Sequence, residues 1–292
     1  MINRGISKYE FKQGLPLELE IVDIMELYHT NKEMLITPHR TDFYHIIWVK
    51  KGNPTHVIDF NPVQLAENSL TFLNKDVVQI YDDNDFEGKA ILFTESFFSK
   101  TELDIRFLKE SILFNDLFTI STIQLNSTKS IFTNLFELME NEISKERDAF
   151  QPELLKTYLH SFLLNAERER KKIDFVEVQK GADRDYIVLF KDFLETNYRR
   201  RKPVSYYSSE LGVTEKRLNQ ATNKVLGKTI KQMIDERLML EAKRLLAHTT
   251  DSIKEIGFIL GFDEPTNFIK YFRKHNSKTP VEFREKFLHE RA

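Results

Sequence analysis

The chain has no cysteine among its 292 residues, which excludes disulfides, thiolate metal sites and thiol catalysis and fits a reducing compartment. Long apolar runs are missing too. No stretch approaches the roughly 18 apolar residues needed to cross a bilayer, and the N-terminus shows no basic segment followed by an apolar one. The expectation is a cytoplasmic protein without a membrane partner. The eight histidines include no His-x-His pair, the period-two spacing that would place two imidazoles on one strand face around a metal. Apolar material is ample. With 41% hydrophobic residues and 24 Phe, a chain of this length can fill two separate cores. Charge is unevenly divided. From Gly181 onward 22 Lys plus Arg face 16 Asp plus Glu, a balance of +6, so the overall −2 leaves −8 for residues 1–180. A basic C-terminal part suits contact with phosphates, whose neutralisation releases condensed counterions, whereas the acidic part would make a poor DNA surface.

Glycine and proline are absent from Ile230 to Ala247, where Ile234, Leu238, Ala242 and Leu245 recur at helical spacing. This predicts one helix of roughly 18 residues, about 27 Å long at 1.5 Å per residue. On either side lies the same pattern: short helix, glycine turn, polar-faced second helix. In the second copy Ser252 and Glu255 form a capping box, and Ile253, Ile256 and Leu260 share a face. Gly261 turns the chain, Phe262 plugs the angle, and Pro265 opens the next helix. Phe268 and Phe272 then point inward, leaving Thr266, Asn267, Lys270 and Lys274 outside. In the first copy Tyr207 and Leu211 face inward, Gly212 turns, Val213 plugs, and Thr214 caps the helix Glu215 to Leu226. Leu218, Ala221, Val225 and Leu226 are its inner residues; Lys216, Arg217, Asn219, Gln220, Asn223 and Lys224 are its outer ones. Two polar-faced helices held apart by a rigid third are the arrangement of a paired major-groove reader, against the alternative of a plain helical bundle.

From about Val204 to Phe287 the chain closely resembles the DNA-binding domain of the AraC/XylS transcriptional regulators. The resemblance rests on Tyr207, Leu211, Gly212, Thr214 and Leu218, on EAKRLL from Glu241 to Leu246, and on Ile253, Ile256, Gly261-Phe262, Phe268, Phe272-Arg273-Lys274, Thr279-Pro280 and Phe283-Arg284. Four positions depart from the family pattern. Ser208 and Gly257 stand where alanine is usual, Thr222 where a large apolar group is favoured, and Ser277 where glycine is usual.

The N-terminal part has another rhythm. Short apolar or alternating runs, Phe43 to Val49, Val57 to Phe60, Leu70 to Leu73, Val77 to Tyr81 and Ala90 to Thr94, are separated by Gly52-Asn53-Pro54, Asn61-Pro62, Asp82 to Asp85 and Gly88. Strands at this spacing predict a small β-barrel or sandwich. The run Thr37 to Phe60 resembles the opening strands of the cupin-like sensing domain that precedes the DNA-binding domain in many AraC-family regulators. Cupin enzymes hold a metal with histidines and a carboxylate, which makes His39, His45 and His56 the candidate ligands. With Thr41 where a His-x-His partner would stand, no metal and no cofactor is expected, and His39, His45 and Trp48 are kept as effector contacts. The phenylalanine-rich runs point to a small apolar or amphipathic effector.

Helical spacing returns over residues 127–170. Ile131, Leu135, Leu138 and Glu142 mark one face, and Leu154, Leu155, Tyr158, Leu159, Phe162 and Leu163 populate a second helix after Gln151-Pro152. The resemblance implies dimerisation through these helices; a simple cover for the barrel is the alternative. The domain plan is therefore a cupin-like sensing domain over 1–126, a helical dimerisation or cover segment over 127–170, a linker over 171–183, and a DNA-binding domain with two helix-turn-helix motifs over 184–292. The fold class is α+β. The expected function is a non-enzymatic, sequence-specific transcription regulator controlled by a small-molecule effector. It would contact double-stranded DNA through Lys216, Arg217, Asn219, Gln220, Lys224, Thr266, Asn267, Lys270 and Lys274, act as a homodimer, and have RNA polymerase as a candidate partner. Two alternatives stay open, a cupin-type metalloenzyme with an accessory helical domain and an architectural DNA binder without an effector.

Overall fold

The computed structural model of the chain describes residues 6–11, 17–81, 86–115, 120–125, 130–172 and 182–289. Two compact units result, one over Ser7–Val176 and the other over Glu177–Ala292, to which Ile6 is also assigned. The expected linker lies for the most part, at 173–181, outside the described residues, as does the break at Asp82 to Asp85.

In the N-terminal unit the elements are, in chain order, β1 (Ser7–Tyr9), β2 (Leu19–Asp23), α1 (Ile24–Ile36), β3 (His39–Thr41), β4 (Tyr44–Lys51), β5 (Thr55–Ile58), β6 (Asn61–Gln64), β7 (Ser69–Leu73), β8 (Gln79–Tyr81), β9 (Glu87–Phe93), α2 (Glu95–Phe98), α3 (Glu102–Glu110), α4 (Ile112–Asn115), β10 (Thr122–Gln124), α5 (Ile131–Ile143) and α6 (Gln151–Arg170). They build two five-stranded sheets, β1-β3-β8-β5-β6 and β10-β7-β4-β9-β2, antiparallel except for the β1–β3 pair. β4 is buried on both faces because two cores flank it. Its period-two alternation sends Tyr44, Ile46 and Trp48 toward α5 and α6, and Ile47 and Val49 into a second core shared with Ile58 and Tyr81 of the other sheet.

Three local readings change. Asn61-Pro62 is not a break: the β5–β6 turn is Asp59-Phe60, with φ of 47° and 70°, and Pro62 sits in β6, an edge strand that needs no N–H there. Gly88 lies inside β9, where a Cβ would stand 2.8 Å from the carbonyl oxygen of Trp48. On α5 the buried face is Phe132, Leu135, Phe136, Met139 and Glu142, while Ile131 and Leu138 are exposed; the true stripe is one residue round the helix from the one expected. On α6, Leu155, Leu159, Phe162 and Leu163 are fully buried and Leu154 is exposed.

The C-terminal unit is all helical: α7 (Ala182–Asn197), a single 3-10 turn at Tyr198–Arg200, α8 (Val204–Glu210), α9 (Glu215–Leu226), α10 (Ile230–His248), α11 (Ile253–Ile259), α12 (Pro265–Asn276) and α13 (Pro280–His289). One core joins Phe190 and Leu194 of α7, Tyr207 of α8, Leu218 of α9, the length of α10, and Ile256, Phe262, Phe268 and Phe272 of the second copy. α10 carries a buried ionic group at its centre. The Glu241 carboxylate accepts from Arg199 at 2.8 Å and from Arg244 at 3.1 Å, so its charge is matched on both oxygens. Arg284 of α13 donates to the carbonyls of Leu246 and Asp251, satisfying one open carbonyl at the end of α10 and one in the loop beyond it.

Both turns have the expected chemistry. Gly261 has φ of 78°, and a Cβ there would come within 2.0 Å of the Arg199 carbonyl oxygen, so only glycine fits. Thr222 is fully buried with its hydroxyl bonded to the Asn219 carbonyl at 3.2 Å, which removes the cost of a polar group in that place. Ser277 ends α12 in the left-handed region at φ 59°. Replacing it with glycine removes the Cβ clash and is expected to raise stability by up to about 1 kcal/mol, net of the added freedom of the unfolded chain. A lower melting temperature for Ser277→Gly would show the serine hydroxyl to matter more than the backbone.

Candidate functional site

α9 begins at Thr214, whose hydroxyl accepts the Arg217 N–H at 3.1 Å, and ends at Gly227 in the left-handed region. Its buried residues are Leu218, Ala221 and Thr222. Lys216, Gln220, Asn223 and Lys224 are exposed and Arg217 and Asn219 half-buried. Asn219 has a structural task as well, since its Oδ1 accepts the Ile230 N–H at 3.1 Å and so ties the middle of α9 to the start of α10. Lys216, Arg217, Asn219, Gln220, Asn223 and Lys224 share one open recess with Asp183.

α12 opens with Pro265 at a position where no N–H is needed, and it buries Phe268 and Phe272. Thr266, Asn267, Lys270 and Lys274 are exposed. Arg273 is exposed beside them and follows Thr266 and Lys270 at seven and three residues. Asn223 and Arg273 were not among the expected contacts, although the 3.6-residue period places each on the outer face. α12 is held against α10 by Tyr271, which donates to Asp235 at 2.8 Å. Both polar-faced helices thus stand on the same rigid rod, 19 residues and roughly 28 Å long.

In the N-terminal unit the three histidines gather between the sheets. His39 pairs across to Gln79 and His56 to Tyr81, so these four face inward from one sheet. His45 and Thr71 face inward from the other, two residues before Ile47 and Leu73. All five polar members are buried. Among the described residues, His45 Nδ1, both nitrogens of His56, Gln79 Oε1 and Thr71 Oγ1 have no hydrogen-bond partner. Burial pushes His45 and His56 down to about 3, with neighbouring His39 adding to the shift, and it lowers His39 as well. The three rings are therefore neutral at pH 7. Among the described residues no group of three His, Cys, Asp or Glu is placed to hold a metal ion. Trp48 is not part of this cluster. Three residues after His45 it faces the opposite way, its ring 5.2 Å from Phe136 of α5. Of the phenylalanines that point to an apolar effector, Phe72, Phe93, Phe97, Phe98, Phe114 and Phe132 lie on that helix side, whereas the Phe43 ring lies 5.0 Å from that of His45 and Phe86 belongs to the core between the sheets.

Residues 207–286 match the helix-turn-helix domain family and residues 25–163 the AraC-like ligand binding domain family. The chain belongs to the AraC family. It is similar to the HTH-type transcriptional activator RhaS of Pectobacterium carotovorum subsp. carotovorum (strain PC1), 22% identical over 255 residues that cover 84% of this chain and 86% of the relative. To the lactose operon transcription activator of Staphylococcus xylosus it is 29% identical over 135 residues, 46% of this chain and 47% of that one. Among solved structures, ToxT from Vibrio cholerae O395 aligns over 96% of this chain and 94% of its own at 17% identity, with a TM-score of 0.43. This AraC-family protein is a DNA-binding transcription regulator with a ligand-binding domain, and its relatives are transcription regulators. Among the described residues no helix is long and apolar enough to cross a membrane.

Proposed function

We propose that this regulator reads DNA by laying the outer faces of α9 and α12 into successive major-groove segments. The observation that carries the reading is that each helix exposes amides and cations on one face while its other face is locked in a single core shared with α10. Lys216, Arg217, Gln220, Lys224, Thr266, Asn267, Lys270, Arg273 and Lys274 supply phosphate and base-edge contacts, and Asn219 and Asn223 complete the first face. Lys270→Ala and Asn267→Ala are each expected to weaken binding to a duplex selected from a random pool by about 1 to 3 kcal/mol, without lowering the melting temperature. Unchanged affinity and unchanged sequence preference in both variants would remove α12 from the interface.

The effector sits between the two sheets, against His39, His45, His56, Thr71 and Gln79. Neutral imidazoles, an amide and a hydroxyl with unused hydrogen-bonding atoms favour a small uncharged ligand rich in hydroxyl, carbonyl or amide groups. A charged ligand would lose its hydration there without a counter-ion, and an apolar one would leave the same atoms unpaired. The protein acts without catalysis, in the cytoplasm, as a homodimer. Ile131, Leu138, Phe150, Leu154 and Leu164, exposed on and between α5 and α6, supply the dimer contact. Because the relatives are named activators, RNA polymerase is included among the proposed partners.

A further inference from the structure

The outer face of α9 already holds an anion of its own. Asp183, in the first turn of α7, places Oδ1 2.5 Å from Arg217 Nη2 and Oδ2 2.9 Å from Lys224 Nζ. The two cations are seven residues apart, two turns along one face of α9, and one carboxylate bridges them. The arrangement matches what a DNA phosphate would do, since it too offers two oxygens to an arginine and a lysine. Lys224 and Arg217 in turn hold the Asp183 carboxyl below its ordinary range. Arg217 is aligned further by the ring of Tyr186 on α7, 5.1 Å from its guanidinium. Asp183, Arg217 and Lys224 line a recess of about 720 Å³ open to solvent, with Lys216, Asn219, Gln220 and Asn223 on its other sides.

Such a bridge contributes little to the fold. The Lys224 side chain is 76% exposed, that of Arg217 38% and that of the shared Asp183 21%, and pairs whose cations reach solvent are worth about 0 to 1 kcal/mol each. α7 is held instead by Ile187, Phe190 and Leu194, all buried. A weak, solvent-facing bridge over two cations of the proposed groove-reading face is suited to being exchanged.

We propose that Asp183 is an intramolecular stand-in for a DNA phosphate, neutralising Arg217 and Lys224 until the duplex displaces it. The inference rests on the assignment of α9 to DNA and adds a regulatory site to it. Asp183 is the second residue of α7, directly after the stretch 173–181 that joins the two units in sequence. A change in the first turn of α7 would therefore move the competing anion and tune the affinity of α9.

The experiment measures binding of full-length protein to a duplex selected by the wild type from a random pool, by fluorescence anisotropy at one salt concentration. Asp183→Asn is expected to bind about three- to tenfold tighter, the effect of releasing two exposed pairs. Asp185→Asn makes the same change in net charge on the same helix. Asp185 is exposed and carries no ion pair among the described residues, so this variant is expected to stay within about twofold of wild type. The gain from Asp183→Asn should vanish when Arg217 and Lys224 are both alanine. Unchanged or weaker binding by Asp183→Asn, an equal gain from Asp185→Asn, or a gain that survives without the two cations would each overturn the proposal. If the Arg217→Ala/Lys224→Ala protein itself binds like wild type, the assignment of α9 to DNA fails, and the stand-in with it.

Discussion

Lowering the pH from 7 to 5 is expected to weaken the N-terminal unit by about 4 kcal/mol, about 2 kcal/mol for each of His45 and His56. In the unfolded chain an imidazole takes up its proton near 6.5, whereas in the folded unit burial pushes both rings down to about 3. Between those values only the unfolded chain gains protons. The stability is thus fully present above pH 6.5 and is lost progressively as the pH falls toward about 3, by about 1.4 kcal/mol per pH unit for each ring. His39, lowered by the same burial, acts in the same direction. Trp48 is the one tryptophan of the chain and is buried in this unit, so its emission during urea titration reports on this unit. His56→Phe keeps a ring against Tyr81, now 4.1 Å from the imidazole centroid, and removes the titration. The pH slope should fall by about half. A urea midpoint that does not move between pH 7 and pH 5 would mean that the rings accept protons in the folded state.

The same burial that makes the unit acid-sensitive defines its proposed ligand. A ring kept neutral can both donate and accept, and one with no partner gains a full hydrogen bond when a hydroxyl or amide reaches it. Saturating effector is therefore expected to raise stability at pH 7 and to oppose acid unfolding, because it binds the neutral rings.

The C-terminal helices were legible because their signals are local. The Ser252–Glu255 capping box, Thr214 as N-cap, Pro265 at the first helical position and the glycine turns each act within four residues, and all appear where the chemistry places them. β4, β5 and β7 to β9 were visible for a related reason, as alternation and turn residues are also local, whereas the turn-like pair Asn61-Pro62 hid β6. The histidine cluster was not legible as a cluster. It is assembled from β3, β4, β5 and β8, and only the register between strands brings His39 opposite Gln79 and His56 opposite Tyr81. The facing of Trp48 follows from its odd offset to His45, a parity that counts only once β4 is seen to be sandwiched between two cores. α7 escaped the repeat because neither copy contains a counterpart, and Asp183 with it, since a charge pair between residues 41 positions apart has no periodic trace. On α5, charged and apolar residues alternate closely enough that two adjacent stripes fit the helical period. Packing against α6 chose between them.

Phe268→Ala is expected to lower the stability of the C-terminal unit by about 3 to 5 kcal/mol, the range for removing a fully buried ring. Phe268 is wholly inaccessible, its ring centroid 5.4 Å from that of Phe262 and 5.9 Å from that of Phe272. Truncation removes the contacts of the plug residue and of the next inward turn of α12 at once, and the surrounding helices can relax only in part. Tyr207, Leu218 and the residues of α10 belong to the same core, so the loss should appear as one cooperative transition at lower temperature. Phe268→Leu, which keeps most of the apolar volume, should lose less. The comparison with Lys270→Ala makes the result informative about function as well as packing. Two residues apart on one helix, the first substitution should lower the melting temperature of the domain and the second should leave it unchanged but weaken the grip on DNA. A Phe268→Ala protein that melts like wild type would turn α12 about its axis, and Lys270 and Asn267 would then face the core instead of the groove.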